Sequence, residues 1–201
     1  MTYSYQTLAK IIKDVSFKEK GSRFISYAYP VLDEEDVKKK LADLWLLHPD
    51  ATHICYAYRL GLEGEDYRAN DDGEPSGSAG LPIYNQILSK NITFVLVASV
   101  RYYGGTKLGV PGLVRAYKQS AQLALEQAEI VERHQTEKIS FEFSYEDQGA
   151  VMRNVDRFGA EVIETEFTDS CRLLVSIRKQ DTDNFLASFE PLYKVKIKKF
   201  E

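Results

Sequence analysis

The chain has 201 residues, of which 44% are hydrophobic and 28% charged, and its formal net charge at pH 7 is −4. These proportions are those of a folded soluble protein, and the length allows two modest domains. The acidic balance argues against a general polyanion binder but allows a local basic patch. The N-terminus lacks the apolar core of a signal peptide, and no apolar run is long enough to cross a bilayer. We therefore expect a soluble, cytoplasmic protein.

The first half of the chain alternates helical and strand-like patterns. The segment "DEEDVKKKLADLWLL" has Asp33 as a plausible N-cap and apolar residues at helical spacing, so it predicts a helix. The segments "THICYAYRL" and "NITFVLVASVRYY" are rich in β-branched and aromatic residues, which predicts strands. Cys55 lies in the first of these strands and Cys171 lies far from it in another apolar segment, so we expect buried free thiols rather than a disulfide or metal pair.

A long helix is expected after the segment "GGTKLGVPG", with Pro111 at its first position. Its apolar and small residues recur at spacings of three and four, which lays one stripe along the helix. This stripe consists of Val114, Tyr117, Ala121, Ala124 and Ala128. Because most of these residues are small, we expect the helix to pack closely on a sheet.

The pattern changes near residue 135. The segment "ERHQTEK" is polar and lacks apolar periodicity, so it is interpreted as a linker between domains 1–134 and 136–201. The order after it is β-α-β-β-α-β, which predicts a ferredoxin-like domain. Ile139, Phe141 and Phe143 alternate as expected for the helix-covered face of its first strand.

The opposite face of that first strand carries Lys138, Ser140, Glu142 and Ser144, without the aromatic side chains that an RNA-recognition motif uses to stack bases. Lysines 194, 196 and 198 fall on one side of the last strand. This stripe is either a solvated face or a surface that follows a phosphate backbone.

The loop "NDDGEPSGSAGLP" at residues 70–82 admits several chemistries. An EF-hand loop is excluded, because counting back from Gly73 places Arg68 at its first position. A nucleophile elbow is also disfavoured, because Ser76 stands where the first glycine of G-x-S-x-G should precede Ser78. Two adjacent acids could bind magnesium, but the pattern favours an ordinary turn whose carboxylates accept backbone N–H groups. The alternatives are kept open over Asp71, Asp72, Glu74, Ser76, Gly77, Ser78 and Gly80.

Two helix starts offer an anion site. Pro82 and Pro111 each fit the first position of a helix and each follows a run of small residues. Free backbone N–H groups at such a start attract anions, and glycines allow a phosphate to approach closely. The segment "GGTKLG" is not a Walker A loop, and no cofactor is expected. The residues assigned to an anion or RNA site are Arg68, Arg101, Gly104, Gly105, Lys107, Gly109 and Arg115; their glycines could also serve only as turns, and their cations could pair with Asp71 and Asp72.

The segments "ANDDGEPSGSAGLPIYNQI" and "VRYYGGTKLGVPGLVRAYKQSAQLAL" closely resemble the signature of the IMPACT family, whose bacterial members include YigZ. The run from Arg101 to Gly109 is long and unusual, and "KGSRFISYAYPV" also fits. The resemblance implies two domains in an α+β protein. The first would be an α/β sandwich similar to a ribosomal-protein domain and to domain IV of elongation factor G, and the second would be similar to domain V of that factor.

The resemblance also implies a function. Eukaryotic members of the family are translational regulators, which block activation of a stress-responsive kinase by competing for its ribosome-bound activator. The leading hypothesis here is therefore a non-enzymatic protein that associates with RNA or the ribosome. The alternatives are a protein-binding module that uses the surface of residues 71–80, and a hydrolase acting on a phosphorylated or peptidic substrate. No catalytic or metal-binding residue is assigned.

Overall fold

A computed structural model describes residues 2–168 and 170–200. The chain divides into two compact units, of which one is formed chiefly by Ser4–Arg133 and the other begins at His134. The segment predicted to be a linker is not irregular. Its residues belong to the strands Ile130–His134 and Thr136–Phe143, with Gln135 between them. That the two units are independent domains remains a proposal, since compactness alone does not show separate folding.

The N-terminal unit contains seven strands and three helices within the described residues. The strands are β1 (Ser4–Leu8), β2 (Ile12–Glu19), β3 (Ser22–Pro30), β4 (His53–Leu60), β5 (Asp66–Asn70), β6 (Val95–Tyr102) and β7 (Ile130–His134). The helices are α1 (Glu34–Leu47), α2 (Gly80–Ser89) and α3 (Gly109–Glu126). Five strands form an antiparallel sheet in the order β2-β3-β6-β4-β5, and β1 pairs with β7 in a separate ribbon.

The two faces of this sheet carry different helices. Helices α2 and α3 pack over one face, in a core that includes Phe24, Ile83 and Tyr117. Helix α1 lies over the other face, in a core that includes Tyr27 and Leu44. The unit is therefore an α/β sandwich in which the alternating side chains of each strand divide between two hydrophobic cores.

The helix starts agree with the sequence only in part. Helix α1 begins as predicted, with the Asp33 carboxylate accepting a 2.8 Å hydrogen bond from the Asp36 N–H. Helices α2 and α3 begin at Gly80 and Gly109. Pro82 and Pro111 are therefore the third residue of their helices, whereas the sequence predicted them at the first position. A proline is tolerated there because the N–H groups of the first helical turn have no intrahelical acceptor.

A polar network fastens the C-terminal end of α1 to the sheet. His48 caps α1, and its ring nitrogens bond the hydroxyls of Tyr27 and Tyr102 at 2.7 and 2.8 Å. The Tyr27 hydroxyl donates in turn to the Asp14 carboxylate at 2.5 Å. Burial lowers the pKa of His48, which Arg23 lowers further and Asp14 raises. The neutral imidazole is thus the form that this packing favours.

The C-terminal unit has the predicted ferredoxin-like order. Its elements are β8 (Thr136–Phe143), α4 (Gln148–Phe158), β9 (Glu161–Phe167), β10 (Cys171–Arg178), α5 (Thr182–Ala187) and β11 (Lys196–Phe200), and the sheet order is β11-β8-β10-β9. Ile139, Phe141 and Phe143 are buried as predicted. Lys194 lies in the turn before β11, so only Lys196 and Lys198 of the proposed stripe belong to the strand.

Two further expectations concern thiols and membranes. Cys55 and Cys171 are both buried and free, as the sequence predicts. Among the described residues, no helix combines the length and the apolar character needed to cross a lipid bilayer.

Candidate functional site

The family-like segments meet at one end of the five-stranded sheet. Strand β6 runs antiparallel to both β3 and β4, so its last residues lie beside the first residues of those strands. Arg101 is paired in register with Phe24 and with His53. The acidic loop of residues 71–79 follows β5, and the loop of residues 103–108 follows β6. The sheet therefore gathers residues that are distant in sequence at a single edge.

Asp71 caps helix α2. Its carboxylate accepts hydrogen bonds from the N–H groups of Gly77 at 2.8 Å, Ala79 at 2.9 Å and Gly80 at 2.8 Å. An acid at a helix N-terminus satisfies free N–H groups and interacts favourably with the helix dipole. The expected anion site at the start of α2 is therefore already occupied by this carboxylate, which corrects the sequence-based expectation for Gly80.

Asp72 holds the acidic loop against the start of β4. Its carboxylate accepts a 2.6 Å hydrogen bond from the Ile54 N–H, and its carbonyl oxygen lies 2.6 Å from the His53 Nδ1. The carboxylates of Asp71 and Asp72 thus both accept hydrogen bonds from backbone N–H groups, which supports the interpretation of this segment as a turn. No group of three histidine, cysteine or acidic side chains suited to a metal ion occurs within the described residues.

Glu74 and Arg101 form a buried ion pair. The Glu74 Oε1 accepts from the Arg101 guanidinium at 2.5 Å and from the Tyr117 hydroxyl at 2.8 Å, and the two charged side chains are only 5% and 6% exposed. The guanidinium also donates to the Ser22 hydroxyl at 3.3 Å. Arg101 is consequently corrected from an external phosphate contact to an internal support of the loops, and its acidic partner is Glu74 rather than Asp71 or Asp72.

Two potential nucleophiles near this pair, Ser78 and Cys55, are buried. Ser78 is fully buried and its hydroxyl has no hydrogen-bond partner in the described part of the chain, whereas Ser76 is exposed. Burial raises the pKa of the Cys55 thiol far above its usual range, and burial together with Cys55 and Glu74 raises that of Tyr117. A substrate cannot reach Ser78 in this arrangement, so the hydrolase hypothesis gains no support here.

The glycines of the two loops have two distinct roles. A Cβ atom built on Gly104 would lie 1.9 Å from the carbonyl carbon of Gly21, so these two backbones are in direct contact. A Cβ on Gly80 would likewise lie 2.4 Å from a backbone nitrogen. By contrast, Gly105 and Gly109 have positive φ values of 83° and 70° and face open space. Among the three glycines assigned to the anion site, Gly105 and Gly109 therefore leave room for a ligand and Gly104 does not.

The exposed cations are not all on the same face. Lys107 is exposed in the loop before α3, and Arg115 is exposed on α3 itself. The N-cap of α3 is Leu108, which supplies no side-chain hydrogen bond to the free N–H groups of the first turn. Arg68 lies elsewhere, because it is paired with Tyr58, whose side chain belongs to the core beneath α1. Lys107 and Arg115 thus belong to α3 and the loop before it, whereas Arg68 lies on the face of the sheet that α1 covers.

Residues 20–125, which include both loops, match the family model of the Impact N-terminal domain. The chain belongs to the IMPACT family. It is 37% identical over 133 residues to the IMPACT family member YvyE of Bacillus subtilis, covering 66% of this chain and 61% of that protein. It is 30% identical over 175 residues to an IMPACT family member of Haemophilus influenzae, covering 85% of each.

Two further comparisons agree. The IMPACT family member YigZ of Escherichia coli is 37% identical over 110 residues, which are 54% of each protein. The chain therefore spans less than two thirds of the length of YvyE and of YigZ. A crystal structure of a hypothetical protein has a TM-score of 0.73 and 26% identity, covering 100% of this chain and 99% of the other. The likeness to solved structures thus extends over both units.

The IMPACT domain of this chain also contains a charge pattern that the motif analysis missed. No aspartate or glutamate occurs between Glu74 and Glu126, in a chain whose acids outnumber its lysines and arginines by 30 to 26. This interval includes all of α2 and nearly all of α3. Its cations are Lys90, Arg101, Lys107, Arg115 and Lys118. A scan of charge along the sequence would have found this signal.

Shallow grooves mark the same helical layer. One of about 220 Å³ is lined by residues of α2 and α3 that include Asn85, Gln86 and Lys118. Another, of about 300 Å³, runs along α3 beside Arg115 and Gln119. Near the start of α3, Tyr103 is 47% exposed and its ring packs over the Arg101 guanidinium at 5.5 Å. The layer offers cations, amides and an aromatic ring, and neither groove is lined by an acid among the described residues.

Proposed function

We propose that this IMPACT-family protein is a non-enzymatic, cytoplasmic regulator of translation that binds RNA, including ribosomal RNA. The contact surface is the loop of residues 104–109 together with the outer faces of α2 and α3, which we call the basic layer. The family resemblance favours translational regulation, because its eukaryotic members act there. The observation that carries the RNA contact is the acid-free interval between Glu74 and Glu126.

The charge argument depends on which cations remain free. Arg101 is neutralised by Glu74, but Lys107, Arg115 and Lys118 form no salt bridge within the described residues. Lysine and arginine contacts to phosphate release counterions, which is the main source of sequence-independent affinity for nucleic acids. An acidic protein can bind a polyanion when its cations are segregated in this way.

The loop adds backbone and aromatic contacts to those charges. Gly105 and Gly109 leave open space beside the uncapped start of α3, where free N–H groups can donate hydrogen bonds to a phosphate oxygen. The half-exposed ring of Tyr103 stands next to this loop and can stack on an unpaired base. These features fit the backbone and bases of single-stranded RNA regions better than they fit an apolar protein partner.

The test measures binding of the purified full chain to fragments of ribosomal RNA by fluorescence anisotropy over a range of salt concentrations. We expect Lys107→Ala, Arg115→Ala and Lys118→Ala each to weaken binding several-fold at low salt, and each to reduce the salt dependence by about one phosphate contact. Lys39→Ala, in an exposed residue of α1 on the opposite face of the sheet, is the matched control.

Two results would count against the proposal. Absence of RNA binding by the parent protein at low salt would remove the nucleic-acid contact altogether. Equal weakening by Lys39→Ala would show that the basic layer is not the contact surface. Binding to ribosomes that persists at high salt and is unaffected by the three substitutions would instead favour the protein-binding alternative at residues 71–80.

A further inference from the structure

The C-terminal sheet ends in two exposed edge strands. Strands β9 and β11 are the outermost strands of the order β11-β8-β10-β9. Each therefore has one row of backbone N–H and C=O groups that faces no neighbouring strand within the described residues. All residues of β9 and of β11 are exposed. Edge strands of this kind pair readily with a further strand unless charges or bulges prevent it. The register of β9 shifts between Val162 and Glu164, so its regular stretch for pairing is Glu164–Phe167.

The edge at β9 is acidic on the open face of the sheet. Glu166, Glu164 and Glu161 lie opposite the β10 residues Arg172, Leu174 and Ser176. Those β10 residues alternate with the buried Cys171, Leu173, Val175 and Ile177, so they point away from the helices. Since residues directly opposite each other share a face, the three glutamates also lie on the open face.

The edge at β11 is basic on the same face. Lys196 and Lys198 lie opposite Glu142 and Ser140 of β8, which alternate with the buried Phe141 and Phe143. Lys196 is already bonded to Glu142 at 3.0 Å, whereas Lys198 and Glu164 form no ion pair within the described residues. The open face is therefore polarised from an acidic edge to a basic edge.

These charges select one kind of strand pairing. Two β9 strands would place glutamates beside glutamates, and two β11 strands would place lysines beside lysines, which is unfavourable in either case. Pairing of β9 with β11 would place glutamates beside lysines. The side chains on the helix-covered side also fit. Val162 and Phe167 of β9 lie opposite the buried Val175 and Cys171, and they and Ile197 of β11 are 41%, 51% and 40% exposed.

Strand direction permits the same pairing. Each strand of the sheet runs antiparallel to its neighbour, from β11 through β8 and β10 to β9. A second copy placed beside β9 in the same orientation brings its own β11 into an antiparallel position. The open face then continues across the junction, with the acidic and basic rows on the same side.

We propose that the chain associates with further copies of itself head to tail, with β9 of one copy pairing with β11 of the next. The contact uses two different surfaces of the protein, so each added copy leaves one free edge at either end of the assembly. This association involves the C-terminal unit and is independent of RNA binding by the basic layer.

The test is sedimentation velocity of the full chain over a wide concentration range at low and high salt. We expect concentration-dependent association that weakens with salt. The variants are Lys196→Glu with Lys198→Glu, which makes both edges acidic, and Glu164→Lys with Glu166→Lys, which makes both basic. Each variant alone should associate about tenfold more weakly or not at all, because every junction becomes repulsive.

A mixture of the acidic and the basic variant tests whether charge pairing between the two edges drives association. An equimolar mixture restores unlike pairs at every junction and should regain the association of the parent protein. A parent protein that remains monomeric at every concentration, or variants that associate as the parent does, would overturn the proposal. RNA binding measured on the same variants should be unchanged, so failure of self-association is distinguishable from failure of the proposed function.

Discussion

The buried ion pair between Glu74 and Arg101 makes a strong prediction about stability. Glu74→Gln keeps the shape of the side chain but removes its charge, so the Arg101 guanidinium stays buried with neutral hydrogen-bond acceptors and without an anionic partner. Breaking one partner of a buried pair costs about 3–5 kcal/mol. The isosteric change retains one acceptor for the Tyr117 hydroxyl, so we expect a loss of about 3 kcal/mol in the free energy of unfolding.

The assay is urea unfolding followed by circular dichroism, with Glu129→Gln as a control in an exposed acid that forms no salt bridge in the described chain. The control should change the stability by less than about 0.5 kcal/mol. A double-mutant cycle with Arg101→Met should give a loss smaller than the sum of the single losses, because the double variant buries no uncompensated charge. If Glu74→Gln costs less than about 1 kcal/mol, the pair does not support the loops as we describe.

Three other outcomes follow from the structure. Asp71→Asn should destabilise the protein by about 1–2 kcal/mol in urea unfolding, since one carboxylate receives three backbone hydrogen bonds at the start of α2. Burial lowers the pKa of His48 in the folded state, so stability should fall as the pH drops through the unfolded value of about 6.5, where only the unfolded chain takes up the proton; His48→Gln should flatten this dependence of the melting temperature on pH. Residues 1–134 expressed alone should give a folded circular dichroism spectrum and a cooperative melt, because both strands of the β1–β7 ribbon are retained; a disordered spectrum would contradict independent folding.

The sequence predicts the elements that carry their own periodicity. Helix α1 shows its N-cap and apolar stripe within fifteen neighbouring residues, and the ferredoxin-like unit follows from the order of its patterns. Strand β7 cannot be predicted from the sequence, because its residues are half-buried or exposed and do not alternate in polarity. Its conformation is fixed instead by pairing with β1, at the far end of the same unit.

The site is less predictable, because its main contacts join residues far apart in sequence. Glu74 meets Arg101 and Tyr117 across separations of 27 and 43 residues, which depend on the register of the sheet. Short motifs indicate that the acids and glycines belong to a functional site, but they do not show that the Asp71 carboxylate bonds the free N–H groups of α2. The residue types therefore point to a phosphate site at both helix starts, whereas the fold leaves only the start of α3 uncapped.

The contact between Gly104 and Gly21 has a consequence for motion. With no side chain between them, the turn that joins β2 to β3 and the loop after β6 lie backbone against backbone, and the Gly104 N–H donates to the Ser22 hydroxyl at 3.3 Å. Neither segment can swing outward without releasing the other, so their amide hydrogens should exchange with solvent in one shared opening event. A ligand that binds the loop after β6 and restricts its motion should therefore also slow amide hydrogen exchange in the turn between β2 and β3, which it does not contact.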